Sequence, residues 1–387
     1  MAAIETCPPL ARQSVLAAAR RIANNVHTTP VLSSKYMDQV ASTPQTSKTL
    51  ENSQWAGHEP AKPRLHFLFK CENFQRIGAF KARGAFNAVH RLNEERHKQS
   101  VHAAQQPNGV AVHDRPLRVI SHSSGNHAQA VALAGKEMGF PAHIVMPAAS
   151  APAKIAATKF YGAEVHFSGP TPQERLRVVD KLMSDTSFDN VFIPPYDHPD
   201  TILGQGTIGL ELQDQAQHLL PPGQRLNGII APCGGGGMLS GVALSCENTS
   251  IDVFGAEPSF EGADDCRRGL LQKRRIEVVR STSIADGLRT PVGSIPWSVI
   301  SDPSKVRGVF AVTEDQIRSA TGLILERMKI LVEPSSAVPL AVALYNEDFR
   351  HLVEDGQRSS SEPYNLGLVI SGGNVDLSKL SNVLLGN

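Results

Sequence analysis

Short apolar runs recur along the chain, each ended by a Gly- or Ser-rich turn and followed by a stretch with helix-like spacing. RVISHSSGNHAQAVALAGKEMGF, starting at Arg118, shows the plan, and PAHIVMP, KIAATKFYGAEVHF, NGIIAPCGGGGMLSGVALSC and DVFGAEP continue it. GLVISGGN near the end supplies a late strand. Strands alternating with helices predict an α/β architecture with largely parallel sheets and right-handed crossovers. The polar stretches around 41–63 and 91–117, rich in Pro, Gln, Ser, Asn and His with little periodicity, read as surface insertions.

A chain of 387 residues, 41% hydrophobic and 19% charged, is long enough for two cores. The 38 Lys and Arg almost balance the 37 Asp and Glu, so no basic field exists to hold nucleic acid or an anionic membrane, and a small-molecule ligand is favoured. Cys7, Cys71, Cys233, Cys246 and Cys266 are scattered, without a CxxC pair or metal-finger spacing, which predicts free thiols in a reducing compartment. No apolar run approaches the ~20 residues of a membrane span. Leu10 to Val26 is Arg-bearing and amphipathic, as transit peptides are, but Glu5 precedes it and Thr28-Thr29-Pro30 follows; the expected location is cytoplasmic.

In an open parallel sheet, ligands bind beyond the carboxyl ends of the strands. Three unusual loops fall at such ends: Ser123-Ser124-Gly125-Asn126-His127, Cys233 to Met238 with Gly234, Gly235, Gly236 and Gly237 between them, and Ser371-Gly372-Gly373-Asn374. Successive glycines at a strand-to-helix turn let several backbone N–H groups close on one anion, and a terminal phosphate is the natural occupant. GxxxxGK[ST] is absent, and GxGxxG does not open a first βαβ unit, so ATP hydrolysis and NAD binding lose ground. Lys81 stands out by context: an apolar strand ends before it, and Gly78, Phe80 and Gly84 crowd it. A buried lysine has a lowered pKa and attacks aldehydes.

The segment Lys70 to Ala85 resembles the cofactor-lysine motif of the fold-type II pyridoxal-phosphate enzymes, the tryptophan-synthase-β-like family. The similarity continues through the serine loop, the four glycines, Glu257-Pro258-Ser259, Ala285-Asp286-Gly287, Glu333-Pro334-Ser335-Ser336 and the Ser371 loop, from about Thr28 to Leu377. Serine racemases and single-domain threonine and 3-hydroxyaspartate dehydratases are the members it looks like. The resemblance implies two open, twisted, mostly parallel sheet domains with the cofactor between them. Residues 1–117 and 196–387 would form the larger, and 118–195 a smaller one that closes over substrate, and the assembly would be a homodimer.

By the same resemblance, Lys81 carries pyridoxal 5'-phosphate and removes the substrate α-proton. Phe80 and Gly287 flank the ring, Asn126 faces its hydroxyl, Gly234 to Gly237 and Met238 hold the phosphate, and Ser371 meets the pyridine nitrogen. A hydroxyl there, unlike an aspartate, leaves that nitrogen unprotonated, which favours elimination. Ser123, Ser124, His127 and Arg175 would meet the amino-acid substrate, with Ser124 as the second acid that racemisation needs. Ser124, Asn126 and His127 also read as caps of the helix that begins near Gly125. Glu257, Asp265 and the carbonyl of Ala263 resemble a site for Mg²⁺, Ca²⁺ or Mn²⁺. Three departures stand out: the loop from Glu257 to Ala263 is two residues longer than in the racemases, Ala79 replaces a serine, and Tyr196-Asp197 looks like the dehydratases. The expected activity is ammonia-lyase action on serine, threonine or 3-hydroxyaspartate, with serine racemisation as the alternative. A phosphate-binding scaffold without catalysis and a β-replacement enzyme are the rivals.

Overall fold

The computed structural model describes residues 6–51, 53–105, 115–358 and 360–385. Among the described residues, ten strands form two sheets: β1 (Val31–Leu32), β2 (Leu65–Cys71), β3 (Leu117–His122), β4 (Ala142–Pro147), β5 (Glu164–Ser168), β6 (Asp189–Phe192), β7 (Gly228–Pro232), β8 (Asp252–Pro258), β9 (Gly308–Val312) and β10 (Tyr364–Ile370). One sheet runs β1-β2-β10-β7-β8-β9, parallel except for β1. The other runs β5-β4-β3-β6 and is parallel throughout. The α/β class expected from the alternating pattern is borne out. Phe67, Phe69 and Cys71 of β2 face one core while Leu68 faces another, and Leu366, Leu368 and Ile370 of β10 oppose Val369 in the same way. Helices cover both faces, which is why these strands read as unbroken apolar runs.

Three helices stack closely beside the larger sheet. A Cβ on Gly204, in helix Pro199–Leu219, would come within 2.6 Å of the Arg83 carbonyl oxygen in helix Lys81–Ala104. One on Gly241, in helix Gly237–Ser245, would lie 2.4 Å from the Ile202 carbonyl oxygen. Helix Pro199–Leu219 thus fixes both the helix headed by Lys81 and the helix that follows the four glycines. Charge locks the same junction. Arg83, 1% exposed, donates to Glu72 through Nε (2.7 Å) and Nη2 (2.8 Å), and to Glu211 through Nη1 (3.0 Å). Lys70 donates to Glu211 at 2.5 Å and to the Thr29 carbonyl at 2.8 Å. The end of β2 and two helices therefore share one buried ion network.

The two polar stretches expected as insertions have structure of their own. Residues 91–104 continue helix Lys81–Ala104, with Arg91 and Leu92 buried; residues 106–114 of the expected insertion lie outside the described residues. The 41–63 stretch is seated on helix Glu347–Gly356: Trp55 donates from Nε1 to Asp348 (2.8 Å) and stacks on His351 with centroids 4.2 Å apart. Helix Arg12–Ile22, in the segment with transit-like character, buries Val15, Ala18 and Ile22. No helix of the described residues is long and apolar enough to cross a membrane.

Breaking the buried network at one partner strands an uncompensated charge. Arg83→Met should destabilise the protein by about 3–5 kcal/mol, read as a lower denaturation midpoint with unchanged denaturant slope. An unchanged midpoint would show that Glu72 and Glu211 find other partners.

Candidate active site

Lys81 opens its helix at the bottom of a cleft of ≈ 990 Å³ lined from both sheets. Two contacts fix the chain just before it: Phe80 N–H donates to the Ser371 carbonyl (3.0 Å), and Gly373 N–H donates to the Gly78 carbonyl (2.9 Å). Just before them Ile77 sits at φ 60°, a strained left-handed conformation for a β-branched residue, held by Asn374 Nδ2 on its carbonyl at 2.6 Å. The Lys81 ammonium lies 5.0 Å from the Phe80 ring centre and donates to the Pro195 carbonyl at 2.7 Å. Burial pushes its pKa down to about 8, so a substantial fraction is neutral amine near physiological pH.

The serine loop follows β3 into helix Asn126–Met138. Gly125, not a side-chain donor or acceptor, is the N-cap, so the caps expected from Ser124, Asn126 and His127 are absent; Ser123 Oγ instead accepts from Gly125 N–H (3.1 Å). Ser123 and Ser124 line the cleft. Asn126 Nδ2 donates to Glu333 (2.8 Å), and its Oδ1 accepts from Asn374 Nδ2 (2.9 Å). His127 is buried, donates from Nε2 to the Ile193 carbonyl (3.0 Å), and leaves Nδ1 without a partner among the described residues. Burial, reinforced by Lys81, lowers its pKa to about 3, so the ring is a neutral acceptor.

Gly234 to Gly237 cross the cleft floor after β7, with Gly236 at φ 84° as the N-cap of the next helix. A Cβ at Gly235 would overlap the Tyr196 ring at 2.4 Å, and one at Gly236 would meet Pro296 at 2.8 Å. The loop is therefore glycine for packing as well as for backbone access. Among the described residues the N–H groups of Gly234 to Met238 have no protein acceptor, which fits a phosphate held at a helix start. Ser371, 5% exposed, places its Oγ 3.0 Å from Ser336 Oγ, and Gly287 N–H donates to Ser335 Oγ (3.0 Å). Arg175 also lines the cleft, with Nε buried and unpaired among the described residues. When bound, the cofactor supplies an electron sink for charge developing at the substrate Cα.

The carboxylates considered for a metal lie outside this lining. Glu257 is buried and accepts from the N–H groups of Cys266 (3.1 Å) and Arg267 (2.9 Å). Asp265 Oδ2 accepts from Val292 N–H (3.0 Å), and its Oδ1 is buried without a partner among the described residues. Burial raises Glu257 well above the carboxylate range and Asp265 to about 6. Two desolvated acids and an orphaned oxygen, beside buried Ala263, suit a hard cation, although the Cys233 and Cys266 sulfurs also lie within 4.8 Å of a Glu257 oxygen.

Sequence reading gave no role to Glu333, which bridges Asn126 and the Asn374 N–H (3.0 Å) and is raised to about 7 by burial. Its Glu-Pro-Ser-Ser setting was the only signal. Asp197 turns out to hold helix Ser294–Ile300 through the N–H groups of Ser294 (3.1 Å) and Ile295 (2.8 Å), whereas Tyr196 alone faces the cleft.

Residues 53–358 match the family described as "Pyridoxal-phosphate dependent enzyme". Serine racemase of Rattus norvegicus is 35% identical over 363 residues, 93% of this chain and 92% of its own length. The structure of maize serine racemase has a TM-score of 0.76 at 35% identity and covers 97% of both chains. That of a T.th. threonine deaminase has a TM-score of 0.71 at 34% identity, covering 95% of this chain and 99% of its own. Similarity this extensive reaches far beyond one motif, and the chain belongs to the pyridoxal-phosphate-dependent enzymes of fold type II.

Proposed function

We propose that this enzyme removes the α-proton of a small β-hydroxy amino acid (serine, threonine or 3-hydroxyaspartate) and eliminates its β-hydroxyl. Loss of water yields an enamine, which tautomerises and hydrolyses to a 2-oxo acid and ammonia. The observation that carries the reading is Lys81, a lysine of lowered pKa in a cleft whose other walls are the glycine loop, the serine loop and Ser371.

In this reading Lys81 holds the cofactor and then takes the α-proton on its Nζ. The Ser123-Ser124 loop and the free N–H groups at the start of helix Asn126–Met138 bind the substrate carboxylate. His127, locked neutral, accepts a hydrogen bond at Nδ1 and neither delivers nor takes up a proton. Arg175 faces the substrate, and Ser371 meets the ring nitrogen as a hydroxyl. Residues 118–195 move as a lid that excludes water from the deprotonated substrate. Glu257, Ala263 and Asp265 would hold a divalent cation, Mg²⁺ first among the candidates. Five free cysteines suit a cytoplasmic setting, and the assembly is a homodimer, which sedimentation would read as twice the chain mass.

Ser124 favours a second reading, serine racemisation, because its hydroxyl opens on the same cleft as Lys81 and the relatives compared include serine racemases. The two outcomes share one deprotonated substrate and divide by whether hydroxide departs before a proton returns.

Lys81→Ala should lose the visible band of the lysine-bound cofactor and about 10²–10⁴-fold in 2-oxo acid production from L-serine, L-threonine or 3-hydroxyaspartate. A band that survives would place the cofactor on another lysine, and a wild-type band without product from any of the three would overturn the substrate class. Ser124→Ala should lower D-serine formation about 10²–10⁴-fold while sparing elimination; equal loss of both, by chiral chromatography and oxo-acid assay, would make Ser124 a binding group only. A lysine pKa of about 8 also sets a pH dependence. Below it the neutral amine falls about tenfold per unit, so stopped-flow capture of added pyridoxal phosphate by apoenzyme should rise with pH and level off above about 8. A flat profile would show that amine ionisation does not limit capture.

A further inference from the structure

A second cluster of ligand-bearing side chains lies on the smaller sheet, and none of its members lines the cleft. Glu164 and His166 are two residues apart on β5, so the strand period puts both on one face. The parallel register sets His143 of β4 directly beside Glu164. His143 Nδ1 and His166 Nε2 approach to 2.8 Å, with the rings stacked at 5.0 Å between centroids. The Glu164 carboxylate lies 3.7 Å from His143 Nε2 and 3.4 Å from His166 Nε2. One ligand atom from each residue fits within 4.8 Å.

We propose that His143, Glu164 and His166 bind Zn²⁺ or a similar borderline transition-metal ion. Two imidazoles and a carboxylate are a donor set for such an ion, whereas Mg²⁺ and Ca²⁺ prefer all-oxygen sites. A zinc ion about 2.0–2.1 Å from each nitrogen would spread the two nitrogens to roughly 3.3 Å at a tetrahedral angle, a shift of about half an ångström. The carboxylate is 65% exposed and the two imidazoles 12% and 23%, so the ion reaches the site from solvent and keeps an open position for water. Arg118, the nearby cation, is paired with Asp185 at 3.1 Å.

The site joins β4 to the sheet-edge strand β5 at the ends where those strands begin. At their other ends β4 leads to Lys154 and β5 to Thr171 and Arg175, all cleft residues. Zinc would therefore brace the strands that carry one wall of the cleft. The proposal is independent of which amino acid is transformed.

The experiment uses the full chain with its pyridoxal phosphate, stripped of divalent metal by chelator and titrated calorimetrically with ZnCl₂. The wild-type protein should bind one equivalent that His166→Ala and Glu164→Gln each weaken by about tenfold or more, since even loss of a supporting contact behind a ligand costs about 10–100-fold. Cys233→Ser should leave that equivalent intact, and Zn²⁺ should raise the melting temperature of the wild type but not of His166→Ala. Co²⁺ in the same site should give ligand-field bands without a thiolate charge-transfer band. No zinc uptake by the wild type, full uptake by a His166→Ala protein with a normal melting transition, or a thiolate band would each overturn the assignment.

Discussion

Everything around the cleft depends on where the helix headed by Lys81 begins, and that is set by a guanidinium with almost no access to water. Arg83 holds Glu72 and Glu211 together, two residues beyond Lys81, while the Ser371 carbonyl catches Phe80 just before it. A buried ion pair contributes less to net stability than its Coulomb energy suggests, because desolvation of both charges opposes it. Its use here is geometric: neither acid can leave without stranding the arginine. The lysine is thereby held over a floor made from the far end of the chain.

Burial tunes the groups around the cleft in opposite directions according to their charge. Desolvation lowers Lys81 and His127 and raises Glu333, so each is driven toward its neutral form. The amine becomes a competent nucleophile and base, while the imidazole becomes a fixed acceptor. Glu333, nearest in function to a structural brace, ties the serine loop to the Ser371 loop through Asn126 and Asn374. The protonation states of all three groups are thus consequences of one packing arrangement.

The glycines serve two demands at once. Gly204 and Gly241 bring three helices into backbone contact, and Gly235 and Gly236 yield their space to Tyr196 and Pro296 while the loop's N–H groups stay free of protein acceptors. A side chain at Gly235 or Gly236 would run into Tyr196 or Pro296 and displace the helix that follows the loop.

Much of this was legible in the chain itself. Apolar runs ending in Ser-Ser-Gly-Asn-His, four glycines and Ser-Gly-Gly-Asn announced parallel strands with loops at their carboxyl ends, because strand burial and turn chemistry are local demands written into adjacent residues. Lys81, Ser123, Ser124, Asn126, Arg175, Gly287 and Ser371 all reach the one cleft. Other features depended on partners far away in sequence. The helix past residue 91 persists through polar residues because of what its earlier turns pack against, Asn126 spends its amide on Glu333 and Asn374 rather than on a cap, and His143 meets His166 only through the register of two strands. Local sequence determines which conformations and chemistries are available; only tertiary contact decides desolvation and pairing, because both depend on atoms brought together from separate segments of the chain.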